Sequence, residues 1–585
     1  MKYSCKVPRF KDNFGANLLK YRGIEDINGY LIPSSSYLQN PDKLNNIQEG
    51  AQLYLDKIKN GTNILLIVDS DNDGFTSSAI IYQYSKEINP NIEIEYFLHS
   101  GKQHGLEDHI DTIINSNKKY DLIILPDSSS NDYVYHERLK EIDVPVLVLD
   151  HHITDEPISE NAVVINNQLS PQYSNKELTG AGVVFQFCRY VDSILGTHNA
   201  DKYIDLAAWG IIGDMGSVLN LENRYIIYEG LKSINNKFFW ALLQKQAYSI
   251  TGLSYPTDDQ ILAAVNPISV AFYIVPLVNA TIRVGTLEEK ERLFLAYIDG
   301  DRLIPSKKKG AKGTYEKVSI EAARECTNAR NKQNRIKDTA VEQLEIKIHK
   351  FSWLEDKVLF VQLDECDDFP PTLNGLVAMQ LSAKFKKPTI VARAGSDGIF
   401  RGSARGLNKS ELSDFKSFLT ESGFFEYASG HPNAFGVGIP GESIESFLTF
   451  SNQELKNIDF EEDVYTVDFA YLAADTALPQ LIEDLAEYKD VWGQESPEPL
   501  IYISDINITS SDVKVIGARK DTVRFEKFGI TYIQFFAKEL IEELSNYSKM
   551  KINLVGRANM NEWMGRYTPQ IIIDSYEIID DKLGF

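Results

Sequence analysis

Short apolar runs alternate with helically spaced stretches along the N-terminal part of the chain. The runs are NILLIV before Asp69, IEIEYFL at 92–98, LIILP before Asp127 and VPVLVL before Asp150; SSAIIYQYSKEI is the clearest helical stretch between them. This alternation predicts a parallel sheet covered by helices on both faces. Ligands of such sheets bind beyond the C-terminal ends of the strands, and three of the four runs end there in aspartate. From about 200 to 295 the pattern is helical. PSKKKGAKG at 305–313 reads as a basic flexible loop, and a polar helix is expected from Tyr315 to Lys350, with Arg324, Arg330, Lys332, Arg335 and Lys337 forming a basic face. A mixed segment follows from KVLFVQL (357–363) to about 450. The strand-like runs LIYISDINIT, VRFEKFGITYIQFF, KINLVGRANM and PQIIIDSYEII then suggest a small barrel. The fold class expected is α/β: a parallel-sheet domain over 1–300, a loop and connecting helix over 301–350, a smaller α/β domain over 351–460, and a linker with a β-barrel over 461–585.

Composition narrows the class. At ~150 residues per domain, 585 residues allow three or four domains. No run is expected to reach the ~18 apolar residues of a membrane helix, and MKYSCKVPRF lacks the apolar core of a signal peptide. Cys5, Cys188, Cys326 and Cys366 are far apart and form no CxxC pair, which points to reduced thiols in a cytoplasmic protein, with neither zinc nor disulfides; the Lys-, Asn- and Ile-rich composition suits a phage or a low-GC bacterium. A net charge of -23 argues against general nucleic-acid binding, yet 60 Lys+Arg leave room for a local basic channel.

The aspartates carry the chemistry. Asp69, Asp71 and Asp73 lie at one strand end, Asp127 (in ILPDSSS) at another, and Asp150 with His151 and His152 at a third; Asp214, in GIIGDMGSV, is a further member. A lone strand-end aspartate is more often a helix N-cap. Several carboxylates converging at one sheet edge would repel and take up protons. Divalent cations relieve this, and carboxylates with one or two imidazoles suit Mn²⁺ or Mg²⁺. Two such ions could share a carboxylate and activate water for attack on phosphorus.

DSDNDG, PDSS, LDHH and GIIGDMGSVLNLENRYIIYEGL resemble the four ordered motifs of the DHH phosphoesterase superfamily. GLVAMQLSAKFKKPTIVARAGSDGIFRGSARG with ASGHPNAFGVGIP is similar to a DHHA1 domain, and the C-terminal strands resemble the OB-type barrel of the RecJ single-strand-specific exonucleases. The resemblance implies a 5′→3′ exonuclease on single-stranded DNA, dependent on two Mn²⁺ or Mg²⁺ ions, releasing 5′-mononucleotides in recombination, repair or replication. It further implies Asp71, Asp73, Asp127, His151 and Asp214 as metal ligands, Asp127 bridging and Asp69 a ligand or orienting group. Asp150 would hold the histidines, and His152 would donate to the scissile phosphate. Ser403, Arg405 and His431 match positions for the 5′-terminal phosphate, and the DHH and DHHA1 domains would bracket a cleft. Tyr532, Phe535 and Trp563 would stack bases and Arg557 and Arg566 contact phosphates; the strip Lys307–Lys312 is a weaker candidate for DNA contact. A single-strand-binding protein or a helicase would be the natural partner, and the protein would be a monomer.

The chain departs from the RecJ pattern at substrate-facing positions. No arginine precedes the glycine in FLHSGKQHGLEDH, where Lys102 or His104 would take over a phosphate contact. PLVNATIR keeps Asn279 and Arg283 but has Leu277 and Ile282 in place of an arginine and a glycine, and GGH has become SGH with Ser429. The alternatives are a phosphodiesterase for short or cyclic oligonucleotides, which would ordinarily lack the barrel, a pyrophosphatase relative, which would be much shorter, and an inactive replisome scaffold, which would lack the motif aspartates.

Overall fold

A computed structural model describes residues 2–579 apart from 62, 102, 155–156, 312, 461–462, 510, 518–519, 547–548 and 564–565. The chain divides into two compact units, one of residues 28–334 with 491–496 and one of residues 1–27, 335–490 and 497–585.

The first unit is built on a five-stranded sheet, all parallel, in the order Glu93–Leu98, Asn63–Val68, Leu122–Pro126, Val146–Asp150, Ala162–Asn166. The fifth strand, AVVIN, was not anticipated from the apolar pattern. Side chains alternate between two cores: Ile64, Leu66, Leu122, Ile124, Leu147 and Ile165 face one side, Leu65, Ile67, Ile123, Leu125, Val148 and Val164 the other. Burial on both faces is why the runs are continuously apolar. The second strand in sequence lies on one side of Asn63–Val68 and the third on the other, so the winding reverses between Asn63–Val68 and Leu122–Pro126, where open α/β sheets form their crevice. Asp69 and Asp127 follow these two strands.

Helices Asn72–Ile88, Gly180–Leu195 and Ile204–Gly213 pack together behind this edge. Trp209, on the last of them, stacks between Phe239 and Tyr297 with ring centroids 4.4 and 4.9 Å away. The stretch Pro267–Val284 does reach membrane-helix length, with a mean hydropathy of 1.5, contrary to the expectation above. Val270, Ile274, Leu277, Val278 and Ile282 belong to the core, so its hydropathy is that of a buried helix. The basic loop is bounded by a small hairpin, Leu303–Pro305 with Tyr315–Lys317. The predicted polar helix is present as Val318–Lys350.

The second unit has two larger sheets. One has the order Tyr427–His431, Ala434–Pro440, Ile399–Arg405, Thr389–Ala394, Leu359–Leu363. The other has seven strands, in the order Phe469–Leu472, Leu500–Thr509, Lys549–Trp563, Arg566–Ile579, Ile530–Gln534, Thr522–Lys527, Lys514–Ile516. Register shifts at Ile503/Ile506 and Val555/Gly556 bend this sheet. The N-terminal strand Lys2–Cys5 pairs in parallel with Val464–Val467. All four cysteines are free thiols.

Candidate active site

Asp71 caps the helix Asn72–Ile88, its Oδ1 accepting from the Gly74 N–H at 3.0 Å. Asn72, between two of the acids, is locked: its Nδ2 donates to the Trp209 carbonyl at 3.1 Å, and its Oδ1 accepts from the Tyr297 hydroxyl at 3.1 Å. Asp73 lies inside the first turn and is buried. Its Oδ2 accepts from the Gly180 N–H at 2.7 Å, and its Oδ1 from the Ala181 N–H at 3.0 Å and the Thr179 hydroxyl at 3.1 Å. The positive end of the helix Gly180–Leu195 thus holds this carboxylate. Asp69 is fully buried; its Oδ2 lies 2.6 Å from His104 Nδ1 and its Oδ1 accepts from the Gly105 N–H at 3.3 Å.

Asp127 leaves its strand with φ at 63° and is buried. Gly180 and Gly210 make room for the acids: a Cβ on Gly180 would lie 2.3 Å from Asp127 Oδ1, and one on Gly210 2.3 Å from Asp73 Oδ1. His151 Nε2 lies 3.2 Å from Asp127 Oδ1, 3.5 Å from Asp214 Oδ2 and 4.0 Å from Asp73 Oδ2. Asp214 ends the helix Ile204–Gly213 as its C-cap. Asp150 Oδ1 accepts from the backbone N–H groups of His151 and His152 at 2.7 and 3.2 Å and lies 2.8 Å from His152 Nδ1, while its Oδ2 accepts from the Ser130 N–H at 3.0 Å.

The electrostatics divide the two histidines. Burial, reinforced by the charge on His152, pushes His151 down to about 4, leaving a neutral imidazole at neutral pH. Burial also works against a proton on His152, but the hydrogen bond and charge of Asp150, with Asp214 and Asp69, hold it up at about 10. Burial raises Asp150 too, yet His152 and His151 keep it below the usual carboxylate range. Burial and then the Asp71 charge push Asp73 up to about 6. Asp127 is raised by burial and by Asp73, Asp71, Asp69 and Asp214 in turn, and Asp69 is raised chiefly by burial.

These residues fit divalent cations. Asp127 with His151 and His152, Asp73 with His151 and Asp214, and Asp69 with Asp71 and Asp127 each gather ligand atoms within 4.8 Å of one another. Asp127 Oδ1 and His151 Nε2 are buried and make no hydrogen bond. Buried polar atoms without partners are rare, and a cation would satisfy both. A mixed carboxylate–imidazole set suits Mn²⁺ or Mg²⁺.

Asn279 and Arg283 sit four residues apart on one face of the helix Val275–Val284, both half-buried; Arg283 lies within the field of Asp71. His104 is engaged with Asp69, so it serves an acid where the sequence suggested a phosphate contact. Lys102 lies outside the described residues.

In the second unit, Arg405, Ala434 and His431 form one row across three strands, and Ser403, Gly436 and Ser429 form the next row on the same face. The residues of the central strand in these rows, Ala434 and Gly436, are small. The opposite face carries Ala404, Phe435 and Val437 into the core. Gly375 makes room for Arg405, since a Cβ there would lie 2.3 Å from Nη2; nothing in the sequence pattern singled this glycine out.

The aromatic candidates separate. Tyr532 is 0% exposed and stacks on Phe525 at 5.0 Å, so it belongs to the core and cannot stack a base. Phe535 is 52% exposed. The side chains of Trp563 and Arg566 lie outside the described residues. Arg557 pairs with Asp574 at 3.0 Å, which absorbs the charge proposed for phosphate. Lys307 pairs with Glu288 at 2.7 Å.

A model of the DHH family, N-terminal domain, matches residues 63–211, and one of the RecJ OB domain matches residues 470–575. The fold and site are therefore those of a DHH-type phosphoesterase carrying an OB domain. A putative SPbeta prophage-derived single-strand DNA-specific exonuclease, YorK of Bacillus subtilis, is 38% identical over 576 residues, covering 97% of this chain and 96% of that protein. The single-stranded-DNA-specific exonuclease RecJ of the same species is 24% identical over 593 residues, covering 97% and 68%. The crystal structure of RecJ in complex with Mn²⁺ from Thermus thermophilus superposes with a TM-score of 0.71 at 19% identity, covering 98% of this chain and 79% of that one. The chain belongs to the RecJ-like family of single-strand-specific DNA exonucleases, hydrolases of the DHH class.

Proposed function

We propose that this protein degrades single-stranded DNA from the 5′ end, hydrolysing phosphodiester bonds and releasing 5′-mononucleotides. The observation that carries the reading is the convergence of Asp73, Asp127 and Asp214 on His151, with Asp127 Oδ1 and His151 Nε2 buried and unpartnered. Asp69, Asp71, Asp73, Asp127, His151 and Asp214 would hold two divalent cations, Mn²⁺ or Mg²⁺. When bound, the cations supply Lewis acidity and lower the pKa of the attacking water.

The side chains do the remainder. Asp73, fixed by the helix N-terminus, and Asp69, fixed by His104, give the cluster a rigid frame. His151 stays neutral and offers Nε2 as a ligand. His152, half-exposed and held protonated by Asp150, donates to a non-bridging phosphate oxygen as charge develops there. Asn279 and Arg283 would meet the DNA backbone at the same edge of the sheet. Residues 351–460 would form the DHHA1-like domain, in which Ser403, Arg405 and His431 receive the 5′-terminal phosphate. Arginine's planar fork suits that oxyanion. Phe535 would offer a face to a base. The likeness to YorK and RecJ, whose names state single-strand DNA specificity, supports the choice of substrate.

The test is product analysis on DNA labelled separately at each end. Early release of the 5′ label as mononucleotide, with gradual shortening of the 3′-labelled strand, is expected. Intact long strands with cleavage of di- to pentanucleotides would overturn the assignment.

A further inference from the structure

Two helices of the first unit, Val275–Val284 and the N-terminal half of Val318–Lys350, meet through one side-chain contact. Lys332 Nζ donates to the Val284 carbonyl at 2.9 Å. Arg283 precedes Val284 and Arg330 lies two residues before Lys332, and Arg283 lies within the field of Arg330. Cations nearby have partners: Arg292, on the helix Leu287–Ile298, pairs with Glu325 at 2.7 Å, and Arg324 with Glu316 at 2.8 Å. Arg330 is half-buried and, among the described residues, has no hydrogen bond and no carboxylate beside it. Gln333, one turn further on, is fully buried with both amide atoms unpartnered. This stretch of the helix therefore carries polar groups that the described residues leave unsatisfied.

Two neighbouring guanidinium groups, one without a counter-charge, are costly to hold partly desolvated. An anion removes the cost, and the planar forks match phosphate oxygens. Arg283 also feels Asp71, which places the pair at the edge of the carboxylate cluster. A polyanion entering a protein with a net charge of -23 needs such a local positive pair.

We propose that Arg330, together with Arg283, binds the backbone phosphate adjoining the scissile one, making Arg330 a substrate-binding residue of this enzyme. The inference rests on the single-strand nuclease reading. Arg330 acts on strands and is idle on a substrate with one phosphodiester.

The experiment compares wild type, Arg330→Gln and Arg330→Lys on an oligo-dT strand and on the p-nitrophenyl ester of thymidine 5′-monophosphate, alongside equilibrium binding of the oligo-dT in Ca²⁺. Arg330→Gln should raise the KM for the strand about tenfold, ~1.4 kcal/mol, with kcat within twofold and the small ester unaffected. Its log KM against log salt should be shallower by ~0.7, one phosphate contact. Arg330→Lys should recover part of the loss. A neutral methylphosphonate at the linkage next to the scissile one should raise the wild-type KM by at least the same factor and cost clearly less in Arg330→Gln, where only the Arg283 contact is left to lose. Wild-type KM in Arg330→Gln, or a methylphosphonate penalty that adds in full, overturns the proposal. If Arg330→Gln does not fold, a flat methylphosphonate series on the wild type overturns it equally. If wild type cuts no strand, the nuclease reading has failed, and unchanged oligo-dT affinity between wild type and Arg330→Gln in Ca²⁺ separately refutes the contact.

Discussion

Gly180→Ala tests how tightly the acid cluster is packed. A Cβ at this position would lie 2.3 Å from Asp127 Oδ1, 2.5 Å from its Cβ and 2.6 Å from its Cγ. Ordinary contacts begin at ~3.5 Å, so the carboxylate must move by about 1 Å. The backbone N–H that donates to Asp73 at 2.7 Å is retained. Alanine gains up to ~1 kcal/mol of helix propensity over glycine, while overpacking costs ~1–3 kcal/mol, so the net loss of stability should stay below ~2 kcal/mol. A displacement of ~1 Å in a positioned group costs on the order of 100-fold in turnover. Urea melts and kcat on oligo-dT at saturating Mn²⁺ should therefore separate, with stability nearly kept and turnover lost. Wild-type kcat in a cooperatively folded Gly180→Ala would refute the argument that Asp127 has no room to move.

Four further outcomes are expected. Lys290 Nζ donates to the carbonyls of His99, Ser100 and Gly101 at 3.0, 2.8 and 3.2 Å, anchoring the segment that leads to His104; Lys290→Met should cost ~2–4 kcal/mol in a denaturant melt, several charged hydrogen bonds at once, and an unchanged melt contradicts this. Asp73 is raised from an ordinary 3.8 to about 6, so the stability its protonation contributes is complete below pH 3.8 and lost as pH rises through 6. The difference is worth ~3 kcal/mol, and Mn²⁺ should therefore raise the Tm more at pH 7.5 than at pH 5; equal shifts would contradict it. Phe535→Ala should weaken oligo-dT binding by ~1–3 kcal/mol if a base stacks there, whereas Tyr532→Phe should leave the melt unchanged or slightly raised, because the Tyr532 hydroxyl is buried without a partner.

Periodicity located the strands that carry the acids because continuous apolar runs are what a doubly covered parallel sheet requires. It missed Ala162–Asn166, a short run after the polar stretch behind His152, with no acid at its end. The acids themselves were legible, but their supports were not. Asp73 is held by Gly180 and Ala181, more than a hundred residues away, and Asn72 by Trp209 and Tyr297. Such contacts exist only once the helices have packed. Tyr532 was misread because ITYIQ has no polar alternation, and its residues from Ile530 to Ile533 are all buried. Arg557 looked available for phosphate until Asp574, on the adjacent strand, was placed beside it.

The central claim is that the carboxylate–histidine cluster cuts single strands from the 5′ end. The most direct measurement follows 5′- and 3′-labelled oligo-dT with Mn²⁺, using wild type and Asp127→Asn. The account predicts immediate 5′-label release as mononucleotide by wild type and a loss of at least ~1,000-fold in Asp127→Asn, the scale of removing a group the reaction cannot proceed without. Equal activity of the two proteins, or mononucleotide released first from the 3′ end, would contradict it.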